Sequence, residues 1–402
     1  MRKRFLSITM GLAVALSPAV PTSIINTVPV VNAATQCGEW SADRVYNTGD
    51  VVSYQGQYWE AQWYTQNDVP GTTGQWGVWQ EVTDGSATPA PSTTPSQPSP
   101  SPSQPSPSPS PTQSGSTTPT DAQSYMNKMK PVTDCPSSAS DRQAGVSYSS
   151  AVKKTYFSST TQTTRSCNVI LPANYSPSKK YPVVYYLHGI FGNEDSMLGN
   201  GNGTIEIPAN LAKEGKAKEM IIVCPDIYAP APGKSVTPAL NQAYFDGYDN
   251  FINDLTNDLM PFIEQNYSVA TGRENTGVCG FSMGGRTALY IGYAKPELFG
   301  YVGAFSPAPG VTPGTDYSGY HKGLFTEDGF RIQNPAVRPY VTLICSGTND
   351  SVVGTFPKSY HEILTRNSQP HVWVEVSGAD HDARAIRTGF YNFVSSAFGV
   401  LN

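Results

Sequence analysis

From Tyr181 onward, short strand-like runs rich in apolar residues recur along the chain, at 181–187, 220–224, 276–280, 340–345 and 371–376, several of them apolar throughout. A strand with one wet face alternates apolar and polar positions. An unbroken apolar run of this length instead suits a strand buried on both faces of a parallel sheet. Between the runs the spacing changes. Phe251, Ile252, Leu255, Leu259 and Phe262 fall three and four apart, which predicts a helix over 248–264, and a second helical pattern covers 285–293. Strands alternating with helices predict an α/β sheet covered on both faces, spanning 121–402 as one domain.

The first 120 residues follow other rules. Arg2, Lys3 and Arg4 precede an apolar stretch from Phe5 to Val20, and Val31-Asn32-Ala33 offers a small-residue cleavage site. This predicts an export signal over 1–33 and a secreted, extracellular protein. The stretch is broken by Pro18 and is shorter than the roughly 20 apolar residues a bilayer span needs, so no membrane anchor is expected. Residues 37–84 carry short alternating runs, Val51–Tyr54 and Gln57–Ala61, punctuated by Gly49-Asp50 and Gln55-Gly56. They read as a small all-β module. Residues 85–120 collapse to Pro, Ser, Thr and Gln, a composition with nothing to bury. This linker could hold its flanking units apart by up to roughly 100 Å.

Charged residues make up only 14% of the chain and the net charge is -5, so no basic footprint for nucleic acid exists. The six cysteines show no paired Cys-x-x-Cys spacing of a metal site. Cys224, Cys279 and Cys345 sit in apolar runs and read as buried thiols. Cys135 and Cys167 lie outside such runs and are the candidate disulfide in an exported protein.

Gly280-Phe281-Ser282-Met283-Gly284 follows an apolar run and opens a helical pattern. That is the context of a nucleophile elbow, a sharp strand-to-helix turn that lifts a serine hydroxyl above the sheet. It predicts an α/β-hydrolase fold with a mostly parallel central sheet. A hydroxyl attacks only when a base takes its proton. In this fold the acid and then the histidine follow the serine. Of five histidines, His188 precedes Ser282, His321 comes before any good acid, His361 falls in a helical pattern and His371 begins a strand. His381, in a loop between the last strand and the last helix, is the predicted base. Asp350 lies just past the strand ending at Cys345 and is the predicted acid. Asp380 and Asp382 are rivals, although immediate neighbours rarely point at one another. For an oxyanion hole, Met283 should supply one backbone N–H. The segment His188-Gly189-Ile190-Phe191-Gly192 should supply the other, from Ile190 with Phe191 as fallback, while His188 itself is assigned a structural role. The chemistry needs no metal or organic cofactor.

The segment from Ser166 to Phe398 resembles carbohydrate esterase family 1, the feruloyl and acetylxylan esterases related to the mycolyltransferases. Asn168-Val169-Ile170-Leu171-Pro172, the His188 loop, Gly280 to Gly285, Gly347-Thr348-Asn349-Asp350-Ser351 and the His381 loop carry the likeness. It implies a serine esterase that releases feruloyl groups from plant cell-wall xylan, with Phe191, Tyr228, Tyr244 and Trp373 as candidate linings of an aromatic pocket. The nearest alternative is deacetylation of xylan, followed by acyl transfer to a sugar and by a non-catalytic polysaccharide-binding role. The stretch Trp40 to Trp79 resembles a family 5/12 carbohydrate-binding module through Tyr46 to Val52 and Ala61 to Thr65. It implies a cellulose- or chitin-like polymer as partner, held on Trp40, Trp63 and Tyr64, with Tyr58, Trp76 and Trp79 in a small core.

Overall fold

The structure is a computed structural model. It describes residues 38–46, 50–61, 65–66, 69–71, 79–82 and 121–400. The predicted export signal, Cys37, Trp63, Tyr64, Trp76 and the linker therefore lie outside the described residues. The chain divides into two units, Met1–Ser110 and Pro111–Asn402.

In the first unit, Val51–Tyr54 and Gln57–Ala61 pair antiparallel around the turn at Gln55-Gly56, and Trp79–Glu81 adds to the second strand. Gly38–Glu39 joins the other edge in parallel. Tyr46, Val52, Ala61 and Trp79 form the buried centre, with Trp40 and Trp59 packed against it.

The second unit is built on an eight-stranded sheet. In chain order its strands are β1 (Val152–Ser158), β2 (Thr163–Ile170), β3 (Val183–Leu187), β4 (Ile221–Pro225), β5 (Thr276–Phe281), β6 (Tyr301–Phe305), β7 (Val341–Gly347) and β8 (Val372–Val376). Across the sheet the order is β1-β2-β4-β3-β5-β6-β7-β8. β1 and β2 pair antiparallel, β2 joins β4 antiparallel, and every pairing from β4 to β8 is parallel. The main helices are α1 (Glu206–Lys213), α2 (Gln242–Asp249), α3 (Met260–Asn266), α4 (Met283–Ala294), α5 (Phe356–Arg366) and α6 (Ala383–Val394).

The apolar runs follow from this arrangement. In β3, Val183, Tyr185 and Leu187 face the core beneath α4 and α5, whereas Val184 and Tyr186 face the core beneath α1 and α6. Successive side chains point to opposite faces, so both must be apolar when both faces are covered. The second core is filled by Ile207, Leu211, Phe390 and Phe393 against Tyr186, with Tyr186 and Phe390 stacked at 4.4 Å.

Three features depart from the sequence reading. The helix expected over 248–264 is broken into Phe251–Asp254, a wider π-type turn at Leu255–Leu259, and α3. Apolar spacing alone does not register the extra residue such a turn inserts. The disulfide candidate is overturned, since Cys135 and Cys167 are both buried free thiols. They belong to the two cores on opposite faces of the sheet, beyond the reach of an S–S bond. Trp373, a candidate pocket lining, lies in the first half of β8 and stacks at 5.3 Å on His361 of α5. The carboxyl ends of the strands, where the pocket would be, are at the opposite end of β8. Trp373 is also three strand spacings of about 4.8 Å from β5.

Candidate active site

β5 ends at Phe281, and α4 begins at Met283. Ser282 alone makes the turn between them, with φ 56° and ψ -118°. A non-glycine residue in that region costs about 1–3 kcal/mol, and only a tightly packed surround sustains it. The surround is visible. The Ser282 amide donates to Phe305 O at 2.9 Å, and Ser282 O accepts from Arg286 N at 3.0 Å and Ala308 N at 2.9 Å. A Cβ on Gly284 would stand 2.2 Å from Leu187 O, and one on Gly280 would stand 2.4 Å from the Gly284 carbonyl carbon. The spacing Gly-x-Ser-x-Gly thus records two places where backbone meets backbone.

β7 and β8 run parallel to β5, so the loops after them emerge on the same edge of the sheet as Ser282. They bring Asp350 to His381, with Oδ2 2.9 Å from Nδ1. The carboxylate is fully buried, and its other oxygen accepts from the amides of Val352 at 3.1 Å and Val353 at 3.0 Å. Burial works against charge at Asp350. The His381 hydrogen bond and the Val353 amide outweigh it and hold the carboxyl below its usual range. The His381 ring lies against the Phe281 ring at 4.3 Å, one residue from Ser282. Among the described residues Nε2 of His381 has no hydrogen-bond partner, so it is open to a hydroxyl.

The rival acids are occupied elsewhere. Asp380 accepts from Ser351 N and from His381 N, each at 2.8 Å, and so ties the two loops together. Asp382 caps α6 through Arg384 N at 2.9 Å and Ala385 N at 3.2 Å.

Beside the elbow lies the loop after β3. Gly189 comes so close that a Cβ there would be 3.4 Å from Ser282 Cβ. The Phe191 amide donates to the Tyr248 hydroxyl at 3.0 Å. Among the described residues, the amides of Ile190 and Met283 make no hydrogen bond. His188 is buried, and both of its ring nitrogens contact backbone atoms, Ile227 N at 2.9 Å and Gly189 O at 2.6 Å. Phe191, half exposed, stacks on Tyr244 at 5.5 Å, and Tyr244 packs on Tyr228 at 4.5 Å. These three candidate pocket residues therefore form one aromatic bank next to the Ile190 amide. Tyr248, which completes the bank against Tyr228 and Tyr244, is not singled out by the sequence. Its helical spacing marks it as core, and only the fold shows its hydroxyl reaching the loop.

In the first unit, Trp40 is half buried, with its ring edge-on to Tyr54 at 5.3 Å. Its indole N–H is buried and has no hydrogen-bond partner among the described residues. Trp79 is core, and Tyr58 is half buried. Among the described residues no three His, Cys, Asp or Glu side chains are placed to share a metal ion, and no helix is long and apolar enough to cross a membrane.

The Esterase family model matches residues 158–382, more than half of the chain. The solved structure of a carbohydrate esterase family 1 ferulic acid esterase from Anaeromyces mucronatus is 59% identical, with a TM-score of 0.66. The match covers 68% of this chain and 100% of that one. This chain belongs to carbohydrate esterase family 1. The esterase also carries a family 5/12 carbohydrate-binding module, matched at residues 39–80. Among curated proteins, it is 30% identical over 162 residues to an endo-1,4-beta-xylanase/feruloyl esterase of Xylanibacter ruminicola, covering 38% of this esterase and 21% of that protein. It is 29% identical over 204 residues to endo-1,4-beta-xylanase Y of Acetivibrio thermocellus, covering 45% of this esterase and 17% of that protein. The esterase thus spans about a fifth of the length of these two relatives.

Proposed function

We propose that this protein is a secreted feruloyl esterase that cleaves hydroxycinnamoyl esters on plant cell-wall xylan, with Ser282, His381 and Asp350 as its catalytic residues. The observation that carries the reading is the 2.9 Å contact between His381 Nδ1 and the buried, ionised Asp350, on the sheet edge where Ser282 stands at the elbow. Asp350 accepts a hydrogen bond from Nδ1–H and stays ionised, which fixes the proton on Nδ1 and leaves the lone pair on Nε2. His381 takes the Ser282 proton through Nε2 as Oγ attacks the ester carbonyl. The amides of Met283 and Ile190 receive the developing oxyanion. His381 then gives its proton to the leaving sugar alkoxide, and the acyl-serine remains. Water, deprotonated by the same imidazole, attacks that ester; the imidazolium returns the proton to the departing Ser282 Oγ, which releases the acid and the free serine.

The bank of Phe191, Tyr244 and Tyr228 supports an aromatic acyl group. Flat rings stack on it, whereas an acetyl group would leave it exposed. The names of the related proteins, ferulic acid esterase and xylanase/feruloyl esterase, favour the same substrate. The module, with Trp40, Trp63 and Tyr64 as its proposed platform, would hold the enzyme on polymer. Kinetics with methyl ferulate and acetylated xylan, on the natural protein and on Ser282→Ala, test the proposal. We expect turnover of methyl ferulate, little of acetylated xylan, and none of either by the variant. Preference for acetylated xylan would overturn the substrate, and an active Ser282→Ala the mechanism.

A further inference from the structure

We propose that His188 is the positioning residue of the oxyanion hole: one fixed tautomer of its ring holds the Gly189–Ile190 peptide so that the Ile190 amide faces the reacting carbonyl. The inference rests on the serine-esterase reading above.

His188 follows the last residue of β3, and its side chain is 1% exposed. Its two ring nitrogens meet groups of opposite kind. Nε2 lies 2.9 Å from the amide nitrogen of Ile227, which can only donate, so Nε2 carries the lone pair. Nδ1 lies 2.6 Å from the Gly189 carbonyl oxygen, which can only accept, so Nδ1 carries the proton. The Asp226 carboxylate stands 3.4 Å from Nε2, and the same oxygen is engaged by the Tyr228 amide at 2.9 Å.

A trans peptide unit is planar, and its C=O and N–H point in opposite directions. Gripping the Gly189 oxygen therefore fixes the direction of the Ile190 N–H. A second donor, the Gly192 amide at 3.2 Å, takes the same oxygen and closes the turn. Phe191, between them, has φ 62°, as the third residue of a type II turn requires. The ring packs so closely on this turn that a Cβ on Gly192 would stand 2.7 Å from Nδ1. With the Phe191 amide given to Tyr248, the Ile190 amide is left free one residue from the glycine that touches Ser282.

The other end of the ring is anchored as well. Ile227 sits between Asp226 and Tyr228, whose carbonyls accept from Arg165 at 2.6 and 2.8 Å. His188 thus ties the loop after β3 to the loop after β4.

Two substitutions separate the nitrogens. In His188→Asn the amide NH2 takes the place of Nδ1 and can still donate to Gly189 O. In His188→Gln the amide oxygen reaches toward Nε2 and can accept from Ile227, but nothing donates at Nδ1. The assay is steady-state kinetics on methyl ferulate with the full chain, alongside urea unfolding of each variant and a Ser282→Ala control. We expect His188→Gln to lose about 10²–10³-fold in kcat, as for loss of one oxyanion donor, with KM within about threefold of the natural protein. We expect His188→Asn to stay within about tenfold in kcat. The proposal is overturned if His188→Gln keeps its kcat, if the two variants fall equally, or if the loss lies in KM alone, because an oxyanion donor acts in the transition state. Activity surviving in Ser282→Ala would instead sink the parent reading.

Discussion

Arg165 offers a sharp test of how the site is supported from below. Its side chain is 7% exposed, and that of its partner Asp254 is fully buried. Nε donates to Asp254 Oδ2 at 3.1 Å, and the Tyr156 hydroxyl donates to the same oxygen at 2.6 Å. Burial pushes the Asp254 carboxyl up, while the guanidinium beside it pulls it back. Arg165→Met removes the countercharge, strands the carboxylate in a dry site and frees two carbonyls of the loop that carries Ile227. Breaking one side of a buried ion pair costs about 3–5 kcal/mol. Arg165→Met/Asp254→Asn removes both charges and keeps an acceptor for Tyr156. Because replacing a whole buried pair by neutral groups is often nearly neutral, the double variant should recover roughly 2–4 kcal/mol of that loss. Urea unfolding at pH 7 of the natural protein, both single variants and the double variant measures the terms. Circular dichroism serves as the probe, and kcat on methyl ferulate is followed in parallel. A single-variant loss under about 1 kcal/mol, or a double variant no more stable than Arg165→Met, would refute the reasoning.

Two further outcomes are expected. Asp350→Asn should lower kcat on methyl ferulate by about 10⁴-fold with KM little changed, because an amide NH2 facing Nδ1 imposes the wrong tautomer on His381; retention of a tenth of the activity in stopped-flow assays would argue against that role. The His361–His371 pair should make stability fall on acidification. The His371 Nδ1 proton is given to Gln369 O at 2.8 Å, so its Nε2 accepts from His361 Nδ1 at 2.7 Å, and burial holds both imidazoles below the usual 6.5. With the folded values depressed, the unfolded chain binds more protons, so the contribution is complete above about pH 6.5 and is lost as pH falls through the folded values. Melting temperature measured from pH 7.5 to 4.5 should therefore fall less steeply in His371→Gln than in the natural protein, and parallel curves would contradict this.

The sheet centre is legible because buried parallel strands admit few polar residues: β3, β4, β5 and β7 appear as apolar-rich runs, and the edge strand β8 shows through Val372, Val374 and Val376 despite the exposed Glu375. β6, Tyr301-Val302-Gly303-Ala304-Phe305, escapes although it is as buried as its neighbours; its Gly303 is pressed so close to Phe393 that a Cβ would stand 2.7 Å away. β1 escapes because Val152 to Thr155 and Phe157 are exposed and only Tyr156 and Ser158 are buried, so no apolar run forms. Ser282, Asp350 and His381 are visible in the sequence as residues that follow strand ends, and parallel pairing carries those ends to one edge. Trp373 lies near the start of its strand, so the same rule that puts the triad past strand ends sets this residue away from the site. The roles of Tyr248 and Arg165 had no sequence signal. Each depends on a backbone group 57 to 63 residues away, which only the folded chain brings within reach.

The most direct test of the account is to trap the covalent intermediate. The protein is mixed with methyl ferulate, quenched in acid within the first turnovers, digested and read by mass spectrometry. The account predicts a feruloyl group on the peptide containing Ser282, absent from Ser282→Ala and accumulating in Asp350→Asn no faster than turnover allows. A feruloyl group on any other residue, or full turnover by Ser282→Ala, would contradict it.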